Sequence, residues 1–144
     1  MDAVHHLLRE NRFMIETVKQ IIHSNNAPSA VGTYSQAIKT GNMVFLSGQI
    51  PLDPQAMTMV DGNMEKQVIQ ILNNLSNVAS AAGGSLNHIV RLGIYLTNMD
   101  DFPVINEVMK RYFKEPYPAR STIGVNALPK GALVEMDAVM VLPE

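Results

Sequence analysis

The 144-residue chain contains no cysteine, which excludes a disulfide framework, a thiolate nucleophile, a zinc ribbon and an iron–sulfur cluster. Any chemistry must come from hydroxyls, carboxylates, arginine, lysine or histidine. An excess of either charge is also lacking. The 11 basic and 13 acidic residues are scattered, net −2, and leave no basic stripe to neutralise a phosphate backbone. Nucleic acid is therefore not an expected partner. No apolar run approaches the roughly 18–20 residues that a membrane-spanning helix requires, and the opening MDAVHHLLRENRF has neither a basic start with a long apolar core nor a small-residue cleavage site. The expectation is a cytoplasmic protein. His5 and His6 are adjacent rather than on one helical face, and His23 and His88 stand in no metal-ligand spacing, so no metal site is expected.

What is present, with 47% hydrophobic residues, is enough to bury one core in one domain. Residues 1–14 read as an extension in which Val4, Leu7 and Leu8 line one side of a short helix; residues 15–144 read as the domain. IETVKQIIH, over 15–23, reads as a first strand. AIKTGNMVFLSGQI reads as a hairpin turning at Thr40, Gly41 and Asn42. From Met64 to Ala82 the apolar residues Val68, Ile71, Leu72, Leu75, Val78 and Ala79 recur at three and four positions, the signature of a helix buried along one stripe. Asn63 is placed to cap its start, and Gly83-Gly84 to end it.

HIVRLGIYLTN alternates Val90, Leu92, Ile94 and Leu96 with polar or small residues, as a half-buried strand does. A second helix follows, capped by Asp100 or Asp101, with the stripe Ile105, Val108, Met109, Tyr112 and Phe113, and ends at Pro116 and Pro118. ARSTIGV and LVEMDAVMVL are two more strands, joined through the turn-like Leu128-Pro129-Lys130-Gly131. The order β-ββ-α-β-α-ββ makes an α+β fold with a mixed six-stranded sheet and both helices on one face. In the last strand Val134, Met136, Ala138, Met140 and Leu142 should face the helices. Glu135, Asp137, Val139 and Val141 face away, on a surface too apolar to stand open, so another copy of the chain is expected to cover it.

The strings YSQAI, SGQIP, INEVMKRYF, YPARSTIGV and LPKGALVEM resemble, in order and spacing, the Rid (reactive intermediate deaminase, or YjgF) family, from about Ile15 to Pro143. The resemblance implies a chorismate-mutase-like fold, a homotrimer whose sheets form a central barrel, and an active site in each cleft between subunits. It implies hydrolysis of reactive 2-imino acids, such as 2-iminobutanoate and 2-iminopropanoate, released by pyridoxal-phosphate enzymes, to 2-keto acids and ammonia, without a cofactor. Arg120 falls on the family's arginine that grips the substrate carboxylate, a task its planar pair of donors suits. Glu135 falls on the acid that holds or activates the attacking water. Tyr34 and Asn106 match residues that bring neutral hydrogen-bonding groups to the cleft. Ser47, Gly48 and Gln49 end a strand beside it, and Ser121 and Thr122 follow the arginine. Thr122 stands where some relatives have cysteine, and its main-chain N–H keeps the role of contacting the carboxylate. On the residues alone, Arg120 could instead pair with Glu135 or Asp137 across neighbouring strands, and Asp137 reads as structural. Two other functions remain open at this level: cleavage of single-stranded messenger RNA, against which the acidic balance argues, and a non-catalytic module that binds small carboxylates.

Overall fold

The computed structural model describes residues 2–144, without the side chains of residues 12–17. Three α-helices, α1 (Asp2–Val18), α2 (Met64–Ala81) and α3 (Phe102–Tyr112), accompany six strands: β1 (Gln20–Ile22), β2 (Ala37–Thr40), β3 (Met43–Gln49), β4 (Ile89–Leu96), β5 (Ala119–Gly124) and β6 (Val134–Val141). The strands form one mixed sheet in the order β1-β2-β3-β6-β4-β5, antiparallel throughout except for the parallel pair β4 and β5. That parallel pair is bridged by α3, the crossover a parallel connection needs.

The two helices read from periodicity lie on one face of the sheet. Val68, Ile71, Leu72, Leu75 and Val78 of α2 are fully buried, together with Ile105 and Val108 of α3. They form one core with the inward row of β6, Val134, Met136, Ala138 and Met140. Each large side chain buried here stabilises the fold by about 1.5–3 kcal/mol. The ends of α2 follow local chemistry: the Asn63 side chain accepts the Lys66 N–H at 3.0 Å, and Gly83 takes a positive φ of 93° after the last turn.

Four expectations need correction. The segment 15–23 is not one strand, because α1 runs to Val18 and only Gln20–Ile22 pairs with the sheet. The spacing of Ile15, Val18, Ile21 and Ile22 serves a helix as well as a strand, and helix continuity wins up to Val18. Val90 does not join the inward row of β4: the pairing with β6 shifts between Ile89 and Arg91, and this irregularity turns Val90 outward. Asp101 stands at the N-cap position of α3, but its side chain makes no capping hydrogen bond. Instead, the Asn98 side chain accepts the Asp100 N–H at 3.0 Å and caps a short 3-10 turn that leads into the helix. Finally, β5 and β6 are not neighbours, because β4 lies between them.

The sheet face away from α2 and α3 is open in the single chain. Phe45 is 45% exposed, Ile123 48% and Ile21 73%, while Val139 and Val141 are half-buried. On α1, Val4, Leu7 and Leu8 form an exposed apolar side as expected, though the helix runs past residue 14.

Candidate active site

At the end of β3 the pairing with β6 slips between Leu46 and Gln49, opening the sheet where Ser47 and Gly48 lie. Glu135 fills that opening. A Cβ on Gly48 would stand 3.0 Å from Cδ and 3.2 Å from Oε1 of Glu135, so only glycine lets the carboxyl lie against the β3 backbone without displacing it. Gln49 is buried, and the Ser47 hydroxyl donates to the Ser35 carbonyl at 2.6 Å.

The loop from Ser24 to Gln36 walls the other side. It is stapled by Gln36, whose side chain accepts the Ser24 N–H at 2.7 Å and donates to the carbonyls of Ser24, Ala27 and Pro28. The half-exposed Tyr34 closes this wall, its hydroxyl accepting the Val31 N–H at 3.4 Å. Together these groups border a cavity of about 700 Å³ lined by Tyr34, Ser47, Gly48, Gln49 and Glu135, roughly the size of a small-metabolite site.

Asp137, read from sequence as structural, lines the same cavity two residues along β6. Its Oδ2 accepts the Tyr95 hydroxyl at 3.0 Å, and its Oδ1 is buried without a hydrogen-bond partner, 3.9 Å from Nη1 of Arg91. Gly93, opposite Asp137 on β4, leaves the room for this carboxylate. Burial holds the Glu135 carboxyl above the ordinary carboxylate range, and the negative charge of Asp137 pushes it the same way. Burial likewise raises the Tyr95 phenol, helped by its hydrogen bond to Asp137. A carboxyl so placed gives and takes a proton closer to neutral pH than one in water.

Arg120 lies elsewhere. On β5 it is opposite Leu92, which is opposite Ala138, so it projects on the helix-covered face. Glu135 is opposite Tyr95, which is opposite Ile123, on the open face. Within one chain the arginine and the acid are thus on opposite sides of the sheet with β4 between them, and no Arg120 ion pair with Glu135 or Asp137 forms. The guanidinium donates instead to Oδ1 of Asn106 at 3.0 Å and to Sδ of Met109 at 3.6 Å, and stacks 4.9 Å from the centroid of the Phe102 ring. All three partners belong to α3 and are uncharged. The arginine is aimed but not neutralised, beside a second cavity of about 320 Å³ that it shares with Asn106, Tyr117 and Pro118. Thr122 points to the same face as Arg120, and Ser121 to the face of Glu135.

The candidate residues therefore fall into two clusters, Tyr34, Ser47, Gly48, Gln49 and Glu135 in one, Arg120 and Asn106 in the other. Sequence reasoning missed Gln36 as the staple of the loop, although its place in YSQAI marked it, and missed Tyr95. For Tyr95 the only signal was a polar-tipped aromatic on the outward row of β4. Among the described residues no group of three or more histidines and acids is placed to hold a metal ion, and no helix is long and apolar enough to cross a membrane.

A family model described as Endoribonuclease L-PSP matches residues 24–142, leaving α1 and β1 outside. The chain is 48% identical over 130 residues to protein DfrA of Myxococcus xanthus, which spans 89% of this chain and 99% of that protein. It is 43% identical over 124 residues to the 2-iminobutanoate/2-iminopropanoate deaminase of Dermatophagoides farinae, covering 86% of this chain and 97% of the other. Among solved structures, RidA of the Antarctic bacterium Psychrobacter sp. PAMC 21119 superposes with a TM-score of 0.83 at 46% identity, over 85% of this chain and 99% of that one.

Proposed function

The chain belongs to the Endoribonuclease L-PSP family, the Rid family, and from that membership and the site geometry we infer that it hydrolyses small reactive 2-imino acids to 2-keto acids and ammonia. The observation that carries this reading is the state of Arg120. It is a guanidinium held in place by an amide, a thioether and an aromatic ring, with no carboxylate of its own, facing a cavity. An arginine serving only the fold would be expected to have an acid beside it. This one is left to receive an acid from outside, and its two parallel donors fit a planar carboxylate.

Glu135 supplies the other half. It orients a water toward the imine carbon and accepts its proton as the hydroxyl adds. That proton passes to the substrate nitrogen, and the carbinolamine collapses to ammonia and the keto acid. Imine hydrolysis is already easy in water, so modest positioning suffices: about 1.36 kcal/mol of barrier lowering gives a tenfold rate. Tyr34, Ser47, Gly48 and Gln49 shape the pocket around the reacting atoms. Asn106 holds the arginine, and the backbone at Ser121 and Thr122 offers further donors to the carboxylate. No cofactor takes part.

Because Arg120 and Glu135 lie on opposite faces of one sheet, the reading needs a second copy. We assign the active site to a cleft where the edge strand β5 of one subunit brings Arg120 to the Glu135 cavity of the next, in a cytoplasmic homotrimer whose open sheet faces meet as a barrel. The apolar residues left exposed on that face, Phe45 and Ile123 among them, support such a cover. Residues 1–14 are assigned to an extension outside this machinery.

The test follows 2-iminobutanoate, generated by a coupled amino-acid oxidase, in the presence of the purified protein and of Arg120→Ala. The wild type is expected to hasten decay, and the variant to lose about a hundredfold or more in kcat/KM. An unchanged decay rate with the wild type would refute the proposal.

A further inference from the structure

Left-handed backbone is costly for any residue with a Cβ, by roughly 1–2 kcal/mol, and residues held there collect at functional sites. Among the described residues two non-glycine residues have positive φ, Met57 at 58° and Lys130 at 54°. Both line the cavity that holds Glu135.

Lys130 sits with Gly131, at φ 67°, in a tight turn closed by the Ala132 N–H donating to the Pro129 carbonyl at 3.0 Å. Two successive left-handed residues make this a turn of the I′ kind, where glycine, asparagine or aspartate is the ordinary choice at both positions. Lysine is not, and turn geometry gives no reason for it. Its side chain is exposed, and among the described residues no acid forms an ion pair with it. It is also the one cation among the described residues lining this cavity, whose other charged groups are Glu135 and Asp137. Met57 is fixed in another loop lining the cavity, its N–H donating to the Asp53 carbonyl at 2.9 Å, while the Asp53 N–H donates to the Thr58 carbonyl at 2.8 Å.

We propose that Lys130 is a substrate-positioning residue that holds an anionic group of the bound small carboxylate at the rim of the Glu135 cavity. The inference rests on the reading of this cavity as the substrate site and adds a cation that the carboxylate-clamp role of Arg120 does not include. Either the carboxylate common to all these substrates or a second one on the side chain offers the chemistry an ammonium takes.

Calorimetry with 2-ketobutanoate and with 2-ketoglutarate, on wild type, Lys130→Met and Lys130→Gly, separates the two. A loss of roughly three- to tenfold in affinity for both ligands in Lys130→Met places the ammonium on the shared carboxylate. A loss confined to 2-ketoglutarate places it on the second. Unchanged affinity for both overturns the proposal, as does a wild type that binds neither ligand. Lys130→Gly should bind as weakly as Lys130→Met yet melt about 1–3 °C above the wild type, because glycine relieves the left-handed strain; a lower Tm gives the lysine a structural role and overturns the proposal. Since binding is read without turnover, a wild type that binds keto acids but leaves imines untouched would sink the deaminase reading and leave Lys130 standing.

Discussion

Gly93 offers a test of the cavity wall that needs no assumption about catalysis. A Cβ at this position would overlap Oδ1 of Asp137 and lie 2.9 Å from the Tyr95 hydroxyl. Both contacts are shorter than a Cβ tolerates, so in Gly93→Ala the Asp137 carboxylate must retreat, at the expense of its 3.0 Å bond from Tyr95. Hydrogen bonds to charged groups contribute about 1.5–3 kcal/mol; Asp137 is partly solvent-exposed, which puts the loss nearer 1–2 kcal/mol. Alanine in a strand interior returns about 0.5–1 kcal/mol relative to glycine. The net expectation is a destabilisation of roughly 0–1.5 kcal/mol in the wild-type background, and a stabilisation of up to about 1 kcal/mol when Asp137 is already alanine, since the carboxylate is then absent and the Tyr95 hydroxyl, freed from its acceptor, can move aside. Urea unfolding of the four proteins of this cycle gives the coupling energy directly. If Gly93→Ala stabilised both backgrounds alike, the carboxylate would not occupy the space described.

Three further outcomes follow from the same structure. The Glu135 carboxyl is raised, so the native state holds its proton more tightly than the unfolded chain. The resulting penalty is absent below the unfolded value of about 4.5 and fully present above the folded one. Glu135→Gln should therefore melt higher than wild type at neutral pH, with the gain fading as pH falls toward 4; a gain independent of pH would contradict this. Gln36→Leu should cost about 2–4 kcal/mol in denaturant unfolding, because its loss leaves the Ser24 N–H and three carbonyls of the pocket loop without their partner. Removal of residues 1–14 should change Tm by no more than about 2 °C, since Val4, Leu7 and Leu8 add nothing to the core.

Legibility from sequence tracked how local the determining physics was. Helix α2 was readable end to end because its stripe, its Asn63 cap and its Gly83 stop all lie within some twenty residues. The inward row of β6 was equally plain, since strict alternation needs no partner to be seen. What failed depended on partners far along the chain. The bulge that turns Val90 outward exists only in the pairing with β6. The separation of Arg120 from Glu135 follows from β4 lying between their strands, an order that no spacing reveals. The candidate residues were named by resemblance; that they fall into two clusters on opposite faces is a property of topology. Asp137 read as structural and Lys130 as an ordinary turn residue for a different reason: a turn lysine and a strand aspartate look ordinary until a φ angle or a missing partner is seen.

The strand order carries one more consequence, for how this protein is made. β6 is the last strand in chain order, yet it lies in the middle of the sheet, clasped by β3 on one side and β4 on the other, with the Leu142 N–H donating back to Asn42 at 2.7 Å. A nascent chain that has not yet emerged beyond Val134 therefore exposes two facing strand edges with nothing to join them, and both are templates for mispairing until the final stretch is threaded between them. A stop codon a dozen residues early would not trim a border from this molecule. It would pull out the seam that keeps its two halves together.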